Sequence, residues 1–227
     1  MSNMYKEVDK TWNPLSGKCE HDCDYCYVKS FRWPVVRAKY SGELRLDENA
    51  FKPLGKGKTI FVCDCQDLFA ESVPKEMING VLVHCCKYPD NDYLFQSKNP
   101  GRFREFTSQF PLKTTLCTTI ETDDVALASR HSKAPKVNER MLHMKIMRAY
   151  KRDAKYTITI EPILKFSEFF PKFIEFASPD FVNIGADSKR HGLPEPTQNE
   201  ALWLIAELEK FTEVRIKNNL RRIIGGE

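Results

Sequence analysis

The sequence predicts an α/β protein in which parallel strands alternate with helices and curl into a partial barrel. Three observations predict it. Short runs rich in β-branched and aromatic residues recur along the 227 residues. Helical patterns lie between several of them. Each run ends in a polar residue or a glycine. Alternating strands and helices imply parallel pairing through right-handed crossovers, and about six or seven such units fit the length. A complete eight-stranded barrel usually takes about 250 residues. Residues 11–53 read mostly as irregular, so a partial barrel is expected, with an open doubly wound sheet as second choice.

The elements follow in order. A strand is expected at 60–63, ending at Asp64, then a helix at 74–87. Pro74 sits in its first turn, and Met77, Ile78, Val81 and Leu82 share one side. A strand at 93–96 leads into Ser97 and Lys98, and one at 115–120 into Glu121. A loop is expected around Arg130 and His131. A helix at 138–151 places Leu142, Ile146 and Ala149 at helical spacing. A strand at 156–160 ends at Glu161. A helix at 164–177 is weakened because Pro171 interrupts it. A strand at 181–184 ends at Gly185. A helix at 197–211 opens with Thr197 and Glu200, a capping box, and turns Leu204, Ile205 and Leu208 inward. A last strand is expected at 213–217. No repeat or long linker divides the chain, so one domain over 1–227 is expected, with the cysteine loop at 15–30.

Composition narrows the class. Hydrophobic residues are 41% and charged residues 29%, ordinary for a globular protein and wrong for a disordered or fibrous one. No apolar run reaches about 18 residues, and residues 1–10 lack the apolar core of a signal peptide. A cytoplasmic location without membrane contact is expected. The formal charge of +4, from 35 basic and 31 acidic residues, permits an anionic substrate without demanding one.

Of eight cysteines, three stand at Cys19, Cys23 and Cys26, spaced Cys-x3-Cys-x2-Cys. Without a secretion signal, a metal or iron–sulfur site is favoured over disulfides. A structural zinc needs a fourth ligand, His21 or a distant cysteine. Four-iron clusters are held by thiolates, and three thiolates leave one iron open. Incidental packing of three cysteines is the third reading.

This motif, with Tyr25 directly before the last cysteine, resembles the signature of the radical S-adenosylmethionine superfamily. The resemblance implies a partial parallel (β/α)6-7 barrel. It implies a [4Fe–4S] cluster on Cys19, Cys23 and Cys26, with S-adenosylmethionine chelated to the open iron. Reductive cleavage would then give a 5′-deoxyadenosyl radical that abstracts hydrogen from a substrate. Trp12-Asn13-Pro14, Phe61-Val62, Asp67-Leu68-Phe69, Ile160-Glu161-Pro162 and Ile184-Gly185 also resemble a small radical-SAM-like family common in phages and prophages. At the cysteine loop alone, the chain resembles the spore photoproduct lyases.

The resemblance implies cofactor contacts. Tyr25 falls near the adenine or packs the loop. The superfamily's Gly-Gly-Glu-like segment is replaced by Cys63-Asp64-Cys65-Gln66-Asp67. Asp64 or Asp67 can supply its carboxylate, and Asp67 can equally cap the turn at Leu68. Ser97 and Glu121 end neighbouring strands, Glu121 toward ribose or methionine. Gly185 allows close approach to adenine. Lys98 can hold a carboxylate or an anionic substrate. Pro162 disfavours a helical Glu161, which leaves Glu161 extended at a strand end, facing ligand or a cationic partner. Asp187, in the polar loop 187–191, is the substrate-binding candidate outside this set. Lys98, Glu161 and Asp187 are the expected catalytic residues. Cys63, Cys65 and Cys117 are candidate hydrogen-atom donors or plain buried thiols. His131 and His143 lack metal-ligand spacing.

Basic residues gather at Lys145, Arg148, Lys151, Arg152 and Lys155, and at Arg215, Lys217, Arg221 and Arg222. Such clusters track a phosphate backbone or solvate a helix face. The expected substrate is therefore a nucleic acid or nucleotide. Alternatives are a peptide or small metabolite, or no catalysis at all in a plain iron–sulfur or zinc protein. The chain has no room for a flavin module, so flavodoxin or ferredoxin is the expected external electron donor.

Overall fold

The computed structural model describes residues 5–225. Nine strands are described: β1 (Lys10–Trp12), β2 (Leu15–Ser16), β3 (Arg45–Leu46), β4 (Thr59–Val62), β5 (Asp92–Gln96), β6 (Thr114–Thr119), β7 (Lys155–Ile160), β8 (Phe181–Ile184) and β9 (Glu213–Ile216). Seven helices accompany them: α1 (Pro34–Lys39), α2 (Lys75–Cys86), α3 (Val125–His131), α4 (Val137–Tyr150), α5 (Phe170–Phe176), α6 (Gln198–Leu208) and α7 (Arg221–Ile224).

Seven strands form one parallel sheet in the order β1-β4-β5-β6-β7-β8-β9. The order never reverses. Right-handed crossovers therefore place successive connections on the same face, and the second choice, a doubly wound sheet, does not hold. The result is a mixed α/β fold consistent with a partial barrel. β1 and β9 are its edges.

Side chains alternate across each strand, and the two faces differ in character. Ile60, Val62, Tyr93, Phe95, Leu116, Ile158, Ile160, Val182 and Ile184 join the helices in the main core. Phe61, Leu94 and Cys117 form a small second cluster with Tyr5 and Val8 on the inner face. The rest of that face is polar. Tyr5 hydroxyl donates to Gln96 Oε1 at 2.7 Å and lies 2.8 Å from Thr159 Oγ1, and Gln96 Nε2 donates to Thr119 Oγ1 at 3.0 Å. The segment before β1 reaches across to β9. Arg215 Nη1 meets Glu7 Oε1 at 2.9 Å, and Lys217 Nζ lies 4.5 Å from the Tyr5 ring centre.

Several sequence expectations need correction. Pro171 does not interrupt a helix over 164–177. It lies in the first turn of α5, where its missing N–H is harmless. The face of α4 was misassigned: Leu142 is exposed, and Val137, Arg140, Met141, Met144 and Met147 are buried. Residues around Arg130 and His131 end α3 rather than forming a loop, with Asp124 Oδ1 accepting from Leu127 N at 2.9 Å as its cap. β1 was not foreseen. The capping box at Thr197 and Glu200 is present.

Candidate functional site

Inner-face alternation carries polar residues to the carboxyl edge of the sheet: Gln96 then Lys98, Thr119 then Glu121, Thr159 then Glu161, Arg215 then Lys217. β6 and β7 pair Thr119 with Thr159, so Glu121 and Glu161 leave neighbouring strands at the same level. In parallel α/β folds this edge is where sites form.

Glu121 is 1% exposed. It accepts from Tyr25 hydroxyl and Lys98 Nζ on Oε1, and from Arg140 Nη1 on Oε2 at 2.9 Å. Burial pushes its carboxyl upward. The charges of Arg140 and Lys98 outweigh burial and hold it at about 2. Lys98 Nζ also donates to Tyr25 hydroxyl at 2.8 Å. Burial, then the Glu121 charge, keeps that phenol protonated. Arg140 donates further to Thr119 O at 3.0 Å and Pro135 O at 2.6 Å. Sequence reading missed Arg140. Its signal was an arginine inside the stripe Val137, Met141, Met144.

Glu161 is held differently. Lys217 Nζ donates to Oε2, and Asn219 Nδ2 donates to Oε1 at 2.6 Å. The Glu161 and Lys217 side chains are 15% and 12% exposed. To meet these partners Glu161 leans over the end of β8, where Gly185 stands. A Cβ at Gly185 would lie 2.7 Å from Glu161 Oε1 and 2.9 Å from Asn219 Oδ1, so glycine is what lets the carboxylate cross. Asn219 Oδ1 is buried and accepts no hydrogen bond. Lys217 was foreseen only as part of a basic cluster, and Asn219 not at all.

The cysteine loop is pinned to the strand ends by its own side chains. His21 Nε2 lies 2.7 Å from Asp67 Oδ2, and Tyr27 hydroxyl donates to Asp64 O at 2.8 Å and to Asp64 Oδ2 at 3.1 Å. Asp67 Oδ1 accepts from Phe69 N at 2.9 Å, which is the turn-capping role. Asp67 Oδ2 also accepts from Lys98 N at 2.8 Å. Asn13 Nδ2 donates to Asp64 Oδ1 at 2.5 Å. Ser97 is buried, and its Oγ accepts from Asn99 N at 2.8 Å.

The expected [4Fe–4S] cluster on Cys19, Cys23 and Cys26, and the S-adenosylmethionine chelated to it, are overturned here. Among the described residues, no group of three or more His, Cys, Asp or Glu is placed to hold a metal ion. Cys23 Sγ is 3.1 Å from Ser132 Oγ. Burial, then the Asp67 charge, pushes the Cys19 thiol up to about 12, and burial raises Cys26. His21, the possible zinc ligand, is engaged by Asp67.

Asp187 does not join the site. Its carboxylate accepts from Lys189 N at 3.1 Å and from His191 N, and lies 2.8 Å from His191 Nδ1. Burial raises its carboxyl, and these contacts outweigh it and lower it. It folds its own loop. The expected basic clusters are largely paired with acids: Arg148 with Asp180 at 2.9 Å, Lys151 with Asp153 at 3.0 Å, Arg215 with Glu7, and Arg222 with Glu195. Among the described residues, no helix is long and apolar enough to cross a membrane.

The mixed α/β fold with its parallel sheet is shared by several solved structures. The chain is similar to a spore photoproduct lyase variant with bound AdoMet and dinucleoside spore photoproduct, with a TM-score of 0.62 and 9% identity, over 99% of this chain and 77% of that one. A second structure of the lyase, complexed with dinucleoside spore photoproduct, gives 0.58 and 11%, over 94% and 74%. Streptococcus suis SuiB bound to S-adenosylmethionine gives 0.58 and 11%, over 92% of this chain but 47% of that one. At these identities the likeness is one of fold. No curated protein matches the sequence. The chain belongs to the family described as "Protein of unknown function (DUF5131)", which it matches over residues 4–188.

Proposed function

We propose that the protein is an enzyme on a radical-SAM-type scaffold, working at the carboxyl edge of its sheet on a nucleotide or nucleic acid. The observation that carries this reading is the largely buried group Glu161, Lys217 and Asn219, which solvent reaches at Glu161 and Lys217. It offers a carboxylate, an ammonium and an unpartnered buried amide oxygen side by side. An ammonium suits a phosphate. An orphaned buried acceptor suits the amino group of a base or a sugar hydroxyl. Glu161 is the carboxylate placed to hold or move a proton, because ligand can reach it. Glu121 is enclosed, and its part is to fix Lys98 and Tyr25. Neither a four-iron cluster nor S-adenosylmethionine is assigned to the chain.

The test compares cells expressing the wild-type protein with cells expressing Glu161→Gln. Nucleosides from their digested DNA, RNA and nucleotide pool are quantified by mass spectrometry. A nucleoside whose abundance changes with the wild type and not with the variant is expected. Identical profiles in all three fractions would overturn the reading.

A further inference from the structure

The segment after the cysteine loop presents aromatic and basic side chains to solvent. Tyr27, Phe31 and Tyr40 hold it in place through ring contacts at 5.7 and 6.2 Å. Tyr27 is also tied to Asp64 at the carboxyl end of β4. Backbone bonds Gly17 N to Lys39 O at 2.9 Å and Lys18 N to Gly42 O at 3.0 Å fasten its far end. On this anchored base, Trp33 is 75% exposed and Val35 82%, and α1 buries no residue at all. Trp33 and Val35 thus present apolar surface to solvent two positions apart.

Its charge is of one sign. Between Asp24 and Glu43 the ionisable acids are absent, while Lys29, Arg32, Arg37 and Lys39 are present. Lys29 pairs with Asp22 and Lys39 with Asp47. Arg32 and Arg37 are exposed. Val28, Lys29, Arg37 and Tyr40 line a hollow of about 140 Å³ between the turn and α1.

We propose that this segment is a single-stranded nucleic-acid platform: Trp33 stacks on a base, and Arg32 and Arg37 take the flanking phosphates. Aromatic faces interleaved with cations are the means by which such strands are held without sequence preference. A second copy of the chain does not fit, because a two-fold contact would set two positive patches against each other. A lipid surface does not fit, because α1 has six residues and lacks the length of an interfacial helix. As the route by which substrate reaches Glu161, the platform rests on the nucleic-acid reading above.

The test is fluorescence anisotropy of the full chain with a labelled oligothymidylate of about 15 nucleotides. Trp33→Ala is expected to weaken binding about tenfold. Arg32→Ala/Arg37→Ala is expected to reduce the slope of log affinity against log salt by about one. Both variants alter exposed side chains, and unchanged thermal midpoints confirm that they fold. Affinity unchanged in Trp33→Ala, no binding by the wild type, or binding of anionic vesicles in place of the oligonucleotide would each overturn the platform. The two readings fail separately. Oligonucleotide binding that depends on Trp33, with no nucleoside change in cells, sinks the enzyme and keeps the platform. A nucleoside change that persists in Trp33→Ala does the reverse.

Discussion

Glu121 and Glu161 stand on adjacent strand ends at one level, each beside a lysine, and their surroundings separate them. Glu121 has Lys98, Arg140 and Tyr25 about it and is closed to solvent. Glu161 has Lys217 and Asn219 and remains partly open. A carboxylate–lysine pair is therefore not in itself a sign of chemistry. The lysines are alike at 14% and 12% exposed, and the carboxylates differ, 1% for Glu121 against 15% for Glu161, so Glu161 is the one that solvent reaches.

The largest effect expected from breaking this contrast is on Glu121. Glu121→Ala leaves the buried Arg140 without its counter-charge, which costs about 3–5 kcal/mol. The thermal midpoint should fall by roughly 10 °C. A fall of only a degree or two would mean that the enclosed carboxylate does not organise the wall.

Acid comes next. The Glu121 carboxyl is held at about 2 against an ordinary 4.5. A group depressed in this way stabilises the fold above its unfolded value, and the contribution is lost as pH falls from about 4.5 toward 2. It is on the order of 3 kcal/mol. Urea midpoints followed down that window should fall more steeply for the wild type than for Glu121→Gln. Parallel curves would assign the acid sensitivity to other carboxylates.

Gly185→Ala is expected to act mainly on the open site. Its methyl would press on Glu161 Oε1 and Asn219 Oδ1. These are side-chain ends that can shift, so the loss is about 1 kcal/mol, and ligand binding suffers more than the midpoint does. Glu161→Gln acts on the site itself. Its amide oxygen still accepts from Asn219, but its N–H2 then faces Lys217, so the cost is about 1–2 kcal/mol while the nucleoside signal disappears. A large fall in stability here would make Glu161 a second structural anchor and erase the contrast.

Much of this was legible in the sequence, and the reason is local. Strand runs such as 156–160 and the Thr197–Glu200 box speak for themselves, because period and capping act over a few residues. The polar strand ends Lys98, Glu121 and Glu161 followed from the same pattern. What failed depended on distant partners. β1 is three residues long and is defined by its pairing with β4. Arg140 acquires its meaning from Glu121, 19 positions away. The cysteine spacing predicted a metal cage, yet Cys23 faces Ser132, 109 positions away, and His21 is taken by Asp67. Spacing fixes where a loop can fold. Where its side chains point is set by what they meet.

The edges of the sheet, β1 and β9, are bridged by the segment carrying Tyr5 and Glu7. Its contacts to β9 include the Arg215–Glu7 ion pair and the placement of Lys217 Nζ over the Tyr5 ring. A wall laced all round by backbone hydrogen bonds must be threaded from a terminus. A wall fastened on one flank by side-chain clasps, as between β1 and β9, has no backbone ladder there to break. Added salt loosens an ion pair of this kind. The readiness with which that flank parts should therefore follow ionic strength.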